Sequence, residues 1–210
     1  NTLICFFADH GDHLGDHHAR HKESFFEASC HIPFLVSWPG RLPADSRRKD
    51  LVCLTDLFGI ATHAAGAVEV REGIDVLALL DGAASPRERL AALYGEPGTA
   101  FFKIMLREGA WKYIYMANGG REQLFDLEHD PHEWANLAGS HSSKAAALRV
   151  LAVAACSVPG AQDALASGAF RAFPYTAWPR TRVYQFDHSR GVMGFPERPG
   201  DVLPLERNSL

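Results

Sequence analysis

The residues best able to do chemistry cluster near the start of the chain: Asp9-His10-Gly11-Asp12-His13-Leu14-Gly15-Asp16-His17-His18. Five of the chain's 11 histidines fall between His10 and His21, interleaved with Asp9, Asp12 and Asp16, and Lys22 follows. Carboxylate oxygens and imidazole nitrogens are ligands for divalent cations, and a lysine ammonium attracts anions. Adjacent Asp9 and His10 reach one ion only if the chain turns there, and Gly11 permits a turn. A solvated histidine-rich loop is the competing reading of this composition. Position favours the metal reading, because the loop follows an apolar run at residues 3–8. His13, His17, His18 and His21 read as loop packing or support rather than ligands, with His17 next in rank. His31 reads as structural.

The elements that must hold these residues can be traced along the chain. Residues 3–8 predict a strand buried on both faces, as in a parallel sheet, where functional groups collect past the strand's carboxyl end. A short helix is expected at 24–28 and a second strand at 33–37, closed by Trp38-Pro39-Gly40. Helical spacing at 51–65 ends at Gly66, and a short helix or turn follows at 74–80. Ser85-Pro86 is a helix start leading into 90–94. Three strands, near 100–106, 111–116 and 122–126, predict an antiparallel meander turning at Glu108-Gly109 and Asn118-Gly119-Gly120. A short helix at 132–137 and a longer one from Ser142 or Ser143 to about Cys156 complete it. Residues 170–199 read as an irregular tail, with Arg171, Arg180, Arg182 and Arg190 as solvated surface charges. Trp38, Trp111 and Trp134 read as packing residues.

Composition narrows the function classes. The chain has 210 residues, 47% of them hydrophobic, and a net charge of −4. This is a globular profile with no bulk charge for nucleic acid. The most apolar window, 145–156, is broken by Arg149 and is shorter than a membrane span requires. Cys5, Cys30, Cys53 and Cys156 form no C-x-x-C and read as mostly buried thiols. No P-loop, G-x-S-x-G or dinucleotide fingerprint occurs. The chain opens directly on a strand without Met or a signal peptide, so a fragment is expected.

The order strand, Asp-His-Gly, Leu-Gly-Asp-His, Lys, aliphatic strand, Ser-Trp-Pro-Gly resembles the C-terminal half of a sulfatase catalytic domain, in the alkaline phosphatase superfamily. The resemblance continues through Leu54-Thr55-Asp56-Leu57-Phe58, Gly109-Ala110-Trp111-Lys112-Tyr113, Gln123-Leu124-Phe125-Asp126-Leu127, Asp130-Pro131, Glu133 and Asn136-Leu137. His10, where many members have Asn, is similar to the choline-sulfatase and phosphonate-monoester-hydrolase branches.

The resemblance implies an α/β fold: the C-terminal part of an alkaline-phosphatase-like α/β sandwich plus a small antiparallel-sheet α+β subdomain. The expected divisions are 1–97, 98–157 and a tail at 158–210. It implies that Asp9 and His10 are ligands of one divalent cation (Ca2+, Mg2+ or Mn2+), and that Lys22 is the catalytic group facing the transferring oxygens. The family's formylglycine nucleophile arises in C-x-P-S-R or C-x-A-x-R. Neither motif occurs here, so formylglycine is expected upstream and the chain alone is expected to be inactive. The implied substrate is a small-molecule sulfate ester. A phosphonate monoester or phosphodiester is the alternative, and a truncated non-catalytic metal-binding chain is another. No nucleic acid and no membrane span are expected. An unpaired apolar sheet edge makes a homo-oligomer possible.

Overall fold

The computed structural model describes residues 2–67, 72–177, 184–185 and 192–193. Two sheets dominate it. The first pairs β1 (Ile4–Phe7) with β2 (Phe34–Ser37), and α1 (Glu27–Cys30), α2 (Asp56–Ala64) and α3 (Val76–Leu80) complete this first part. The second is a four-stranded meander of β3 (Arg89–Tyr94), β4 (Lys103–Glu108), β5 (Trp111–Met116) and β6 (Arg121–Asp126), in that order. The helix α4 (Ser142–Ala155) lies against it. Short pairs follow, β7 (Leu165–Ala166) with β8 (Ala169–Phe170) and β9 (Tyr184–Gln185) with β10 (Val192–Met193).

Period-two alternation gives the meander two working faces. Ile104, Leu106, Tyr113, Tyr115 and Leu124 pack with Ala145, Leu148, Ala152 and Cys156 from α4 and its end. Met105, Ile114 and Phe125 point the other way and bury Phe25, with Phe26 beside it. The sheet is therefore covered on one face by a helix and on the other by the segment that carries Lys22. In the first part, Ile60, Val76 and Leu77 form a smaller core with Cys5, Phe34 and Val36 against it. Buried Asp56 ties this region to the start of β3. Both of its carboxylate oxygens accept from Arg87, and the backbone N–H groups of Cys53 and Ile74 also donate to it.

Several expectations change. Residues 3–8 do form a strand, but it pairs antiparallel with β2, with Cys5 opposite Val36 and Phe6 opposite Leu35. It is covered on one side only: Phe6 is 63% exposed and Leu35 58%. The helix expected at 90–94 is instead β3, hydrogen-bonded along its length to β4. Pairing with β4 and the Arg87 anchor override the Ser-Pro start signal, as tertiary context overrides local propensity. Residues 132–137 form turns rather than a helix. Glu133 is left-handed (φ 57°), and Asn136 gives its side chain to β6, accepting from Leu124 N and donating to Glu122 O. Of the thiols, Cys156 is buried and Cys30 exposed. Trp134 is exposed and stacks on His132 rather than entering a core. α2 ends as expected at Gly66, left-handed at φ 72° with its N–H on His63 O. Arg180, Arg182 and Arg190 lie outside the described residues, as does most of the tail beyond residue 177.

Candidate metal centre

The loop after β1 is shaped by its own acids and by a single close approach. Asp12 accepts from Leu14 N–H and His21 N–H, drawing the two ends of the loop together. The Leu14 N–H, first among these donors, holds the Asp12 carboxyl below the usual carboxylate range. Gly11 is required for lack of a side chain. Its N–H donates to Ser29 O at 2.8 Å, and a Cβ on it would lie 2.0 Å from Ala28 O. The glycine thus serves the docking of the loop against α1, where a turn was expected. Leu14, His17, His18 and His21 all have positive φ, between 50° and 66°. Such backbone persists only where surroundings over-determine it, and it collects at functional sites.

The structure brings Asp9, His10 and Lys22 together. The backbone N–H of His10 donates to Asp9 Oδ1 at 3.0 Å, and Asp9 Oδ2 lies 3.3 Å from His10 Nε2. His10 Nδ1 is 2.7 Å from Gly11 O. A carbonyl only accepts, so Nδ1 carries the proton and Nε2 the lone pair. That lone pair faces the ammonium of Lys22 at 2.5 Å. Asp9 and Lys22 are exposed and His10 half-buried.

This donor set suits a divalent cation. An imidazole that gives its other N–H to a backbone carbonyl is the usual form of a ligating histidine. Neighbouring ligands at about 2.1–2.3 Å from an ion stand about 3 Å apart, close to the Asp9–His10 separation. Asp9 and His10 would be the residues to hold such an ion, which when bound would supply Lewis-acid chemistry. Among the described residues no group of three or more His, Cys, Asp or Glu side chains gathers around a common point.

Three further histidines of this region contact neighbouring side chains. His13 is buried, its Nε2 sits 2.5 Å from Ser24 Oγ, and burial pushes its pKa down. His17 stacks on Phe26 with ring centroids 3.8 Å apart. His31 rests against Glu27 at 3.2 Å.

Residues that sequence reading passed over complete the setting. Ser29 Oγ donates to Lys22 O, and Lys103 donates to Glu23 O. Buried Lys112 contacts Phe25 O, Glu27 and Glu133. Strand parity held a signal for Lys112, since it shares a face of β5 with Ile114 and that face is otherwise apolar.

Comparison with known proteins now places the chain. Residues 1–67 match the sulfatase family model, and these residues contain the whole loop just described. The chain belongs to the sulfatase family. A choline-sulfatase of Rhizobium meliloti (strain 1021) is 37% identical over 146 residues, covering 66% of this chain and 27% of the relative. Arylsulfatase K of Mus musculus is 33% identical over 150 residues, covering 65% and 27%. This sulfatase chain thus spans about a quarter of the length of these curated relatives. Among solved structures, a 2-O GAG sulfatase aligns with a TM-score of 0.62 at 25% identity, over 71% of this chain and 35% of the other. A phosphonate monoester hydrolase from Silicibacter pomeroyi aligns with a TM-score of 0.60 at 25% identity, over 70% and 33%. The fold is the α/β architecture of these alkaline-phosphatase-like hydrolases, with the meander and α4 as its antiparallel part.

Proposed function

We propose that this chain supplies half of the active site of a metal-dependent sulfuric ester hydrolase. Asp9 and His10 give two ligands to one divalent cation, and Lys22 neutralises charge on the non-bridging oxygens of the transferring group. The observation that carries this reading is the meeting of Asp9 Oδ2, His10 Nε2 and Lys22 Nζ at the end of β1. A carboxylate and a neutral imidazole prepare the site for a cation, and the adjacent ammonium prepares it for the anion the cation would bind. Lys22 also takes the Nε2 lone pair, so it must release that nitrogen before a metal can use it. Ca2+, Mg2+ and Mn2+ suit the carboxylate, and the imidazole favours Mn2+ among them.

The nucleophile is not in this sequence, so the reading makes the chain a fragment that does not turn over alone. The relatives' lengths support this, since the chain matches only 27% of each. The solved phosphonate monoester hydrolases favour a second reading with the same half-site, in which the substrate is a phosphonate or phosphate ester.

The test is hydrolysis of 4-nitrophenyl sulfate and of 4-nitrophenyl phenylphosphonate. The 210-residue chain is expected to be inactive on both. The chain extended by its upstream reading frame is expected to be active, and Lys22→Met in that form is expected to lower kcat by about a hundredfold or more. Turnover by the 210-residue chain itself, or an unchanged kcat in Lys22→Met, would overturn the proposal.

A further inference from the structure

The segment at residues 22–25 is neither helix nor strand, yet each of its four carbonyls accepts from a side chain. Ser29 Oγ donates to Lys22 O at 2.5 Å, Lys103 Nζ to Glu23 O at 2.8 Å, Cys30 Sγ to Ser24 O at 3.5 Å and Lys112 Nζ to Phe25 O at 2.7 Å. Lys22 and Glu23 are exposed, Ser24 is half-buried and Phe25 buried, and backbone groups buried outside a ladder must find other partners. Two of these four donors are ammonium groups from neighbouring strands of the meander, Lys103 on β4 and Lys112 on β5.

Neither lysine is needed to build the sheet, whose strands pair through their backbones. Lys112 is 1% exposed beside Met105, Ile114 and Phe125, on the face that also carries Lys103 and Arg107, and an apolar side chain at this buried position would avoid the cost of burying a charge. The ammonium has fixed partners instead. Besides Phe25 O it meets Glu27 Oε1 at 2.6 Å and Glu133 Oε1 at 2.8 Å, and Glu133 Oε2 accepts the Glu27 N–H at 2.6 Å. The left-handed Glu133 backbone aims this carboxylate at the segment. A buried ion network of this kind is by itself weak evidence of added stability.

We infer that Lys103 and Lys112 are positioning residues for Lys22: the meander grips the carbonyls beside Lys22 and so holds its ammonium at His10. The inference rests on the role given above to Lys22. It makes the second sheet part of the active-site apparatus, although none of its side chains reaches the cation ligands.

The test is NMR on the full chain, following the Lys22 ammonium resonance and amide exchange at Ser24, Phe26 and Glu27, whose N–H groups bond to Lys22 O, Ser24 Oγ and Glu133 Oε2. In Lys103→Met, Glu23 O turns to solvent and the fold stays intact. The three amides are expected to exchange about tenfold faster while β5 and β6 keep their rates, as local opening requires. The Lys22 ammonium signal is expected to lose its protection, and Lys103→Arg is expected to restore it. Lys112→Met with Glu133→Gln, which removes one charge of each sign, is expected to do the same more strongly. Unchanged exchange and an unchanged Lys22 signal in both variants would overturn the inference. Uniform acceleration across sheet and segment would also overturn it, since that marks a merely structural role. Failure of the catalytic reading is distinct: Lys22→Met would then leave hydrolysis unchanged while these exchange rates still respond to Lys103 and Lys112.

Discussion

At the residue scale, the loop carries one pH-sensitive element that is not a ligand. His13 is buried, with Nε2 on Ser24 Oγ, and its Nδ1 has no hydrogen-bond partner. Protonation would bury a charged N–H without an acceptor, and burial accordingly pushes the pKa down. The folded value lies below the unfolded value of about 6.5. The unfolded state therefore binds the extra proton, and stabilisation by neutral His13 is present above about pH 6.5 and lost as pH falls through the folded value. The expected outcome is a loss of amide protection around Ser24, after allowance for the intrinsic pH dependence of exchange, as pH falls from 7 to 5, and a flatter profile in His13→Phe. The closeness of Asp9 and His10 was legible in the sequence because the two stand side by side at a strand end. Lys112 left one sign, a charge at an apolar position of β5, but its pairing with Glu133 left none, because the two stand far apart in sequence.

At the element scale, the loop is fastened to α1 by backbone contact at Gly11. A Cβ there would lie 2.0 Å from Ala28 O, which is backbone and cannot swing aside. Gly11→Ala is expected to destabilise the protein by about 1–3 kcal/mol, the usual cost of overpacking, read as a lower Tm and as loss of the Lys22 ammonium signal. An unchanged Tm would mean that the loop is not seated on α1. The meander was legible from its alternating apolar residues and glycine turns. Its first strand was not, because Ser85-Pro86 mimics a helix start and only pairing with β4 decides the matter. The turn at 132–137 was hidden likewise: Asn136 and Glu133 spend their side chains on β6 and Lys112 instead of a helix.

At the scale of the whole molecule, one surface is out of character. Ile4, Phe6 and Leu35 present an apolar face on the β1–β2 pair, all more than half exposed. Contiguous exposed apolar surface marks a contact site. The β1–β2 strands were foreseen, but a strand covered on both faces needs layers that the described residues do not supply. The chain is expected to self-associate through this face. Sedimentation velocity is expected to show species larger than the 23.1 kDa monomer, reduced by Phe6→Lys with Leu35→Lys. A monodisperse wild-type monomer would contradict this.

The half-site itself is tested most directly with Mn2+ and the amide spectrum of the chain. A bound Mn2+ broadens nuclei around it, so the residues that vanish first mark where it sits. Broadening is expected to centre on Asp9, His10 and Gly11, to release the Lys22 ammonium from His10, and to disappear in Asp9→Ala. Broadening spread evenly over His17, His18 and His21, or persisting in Asp9→Ala, would contradict the assignment of Asp9 and His10 as the cation's ligands.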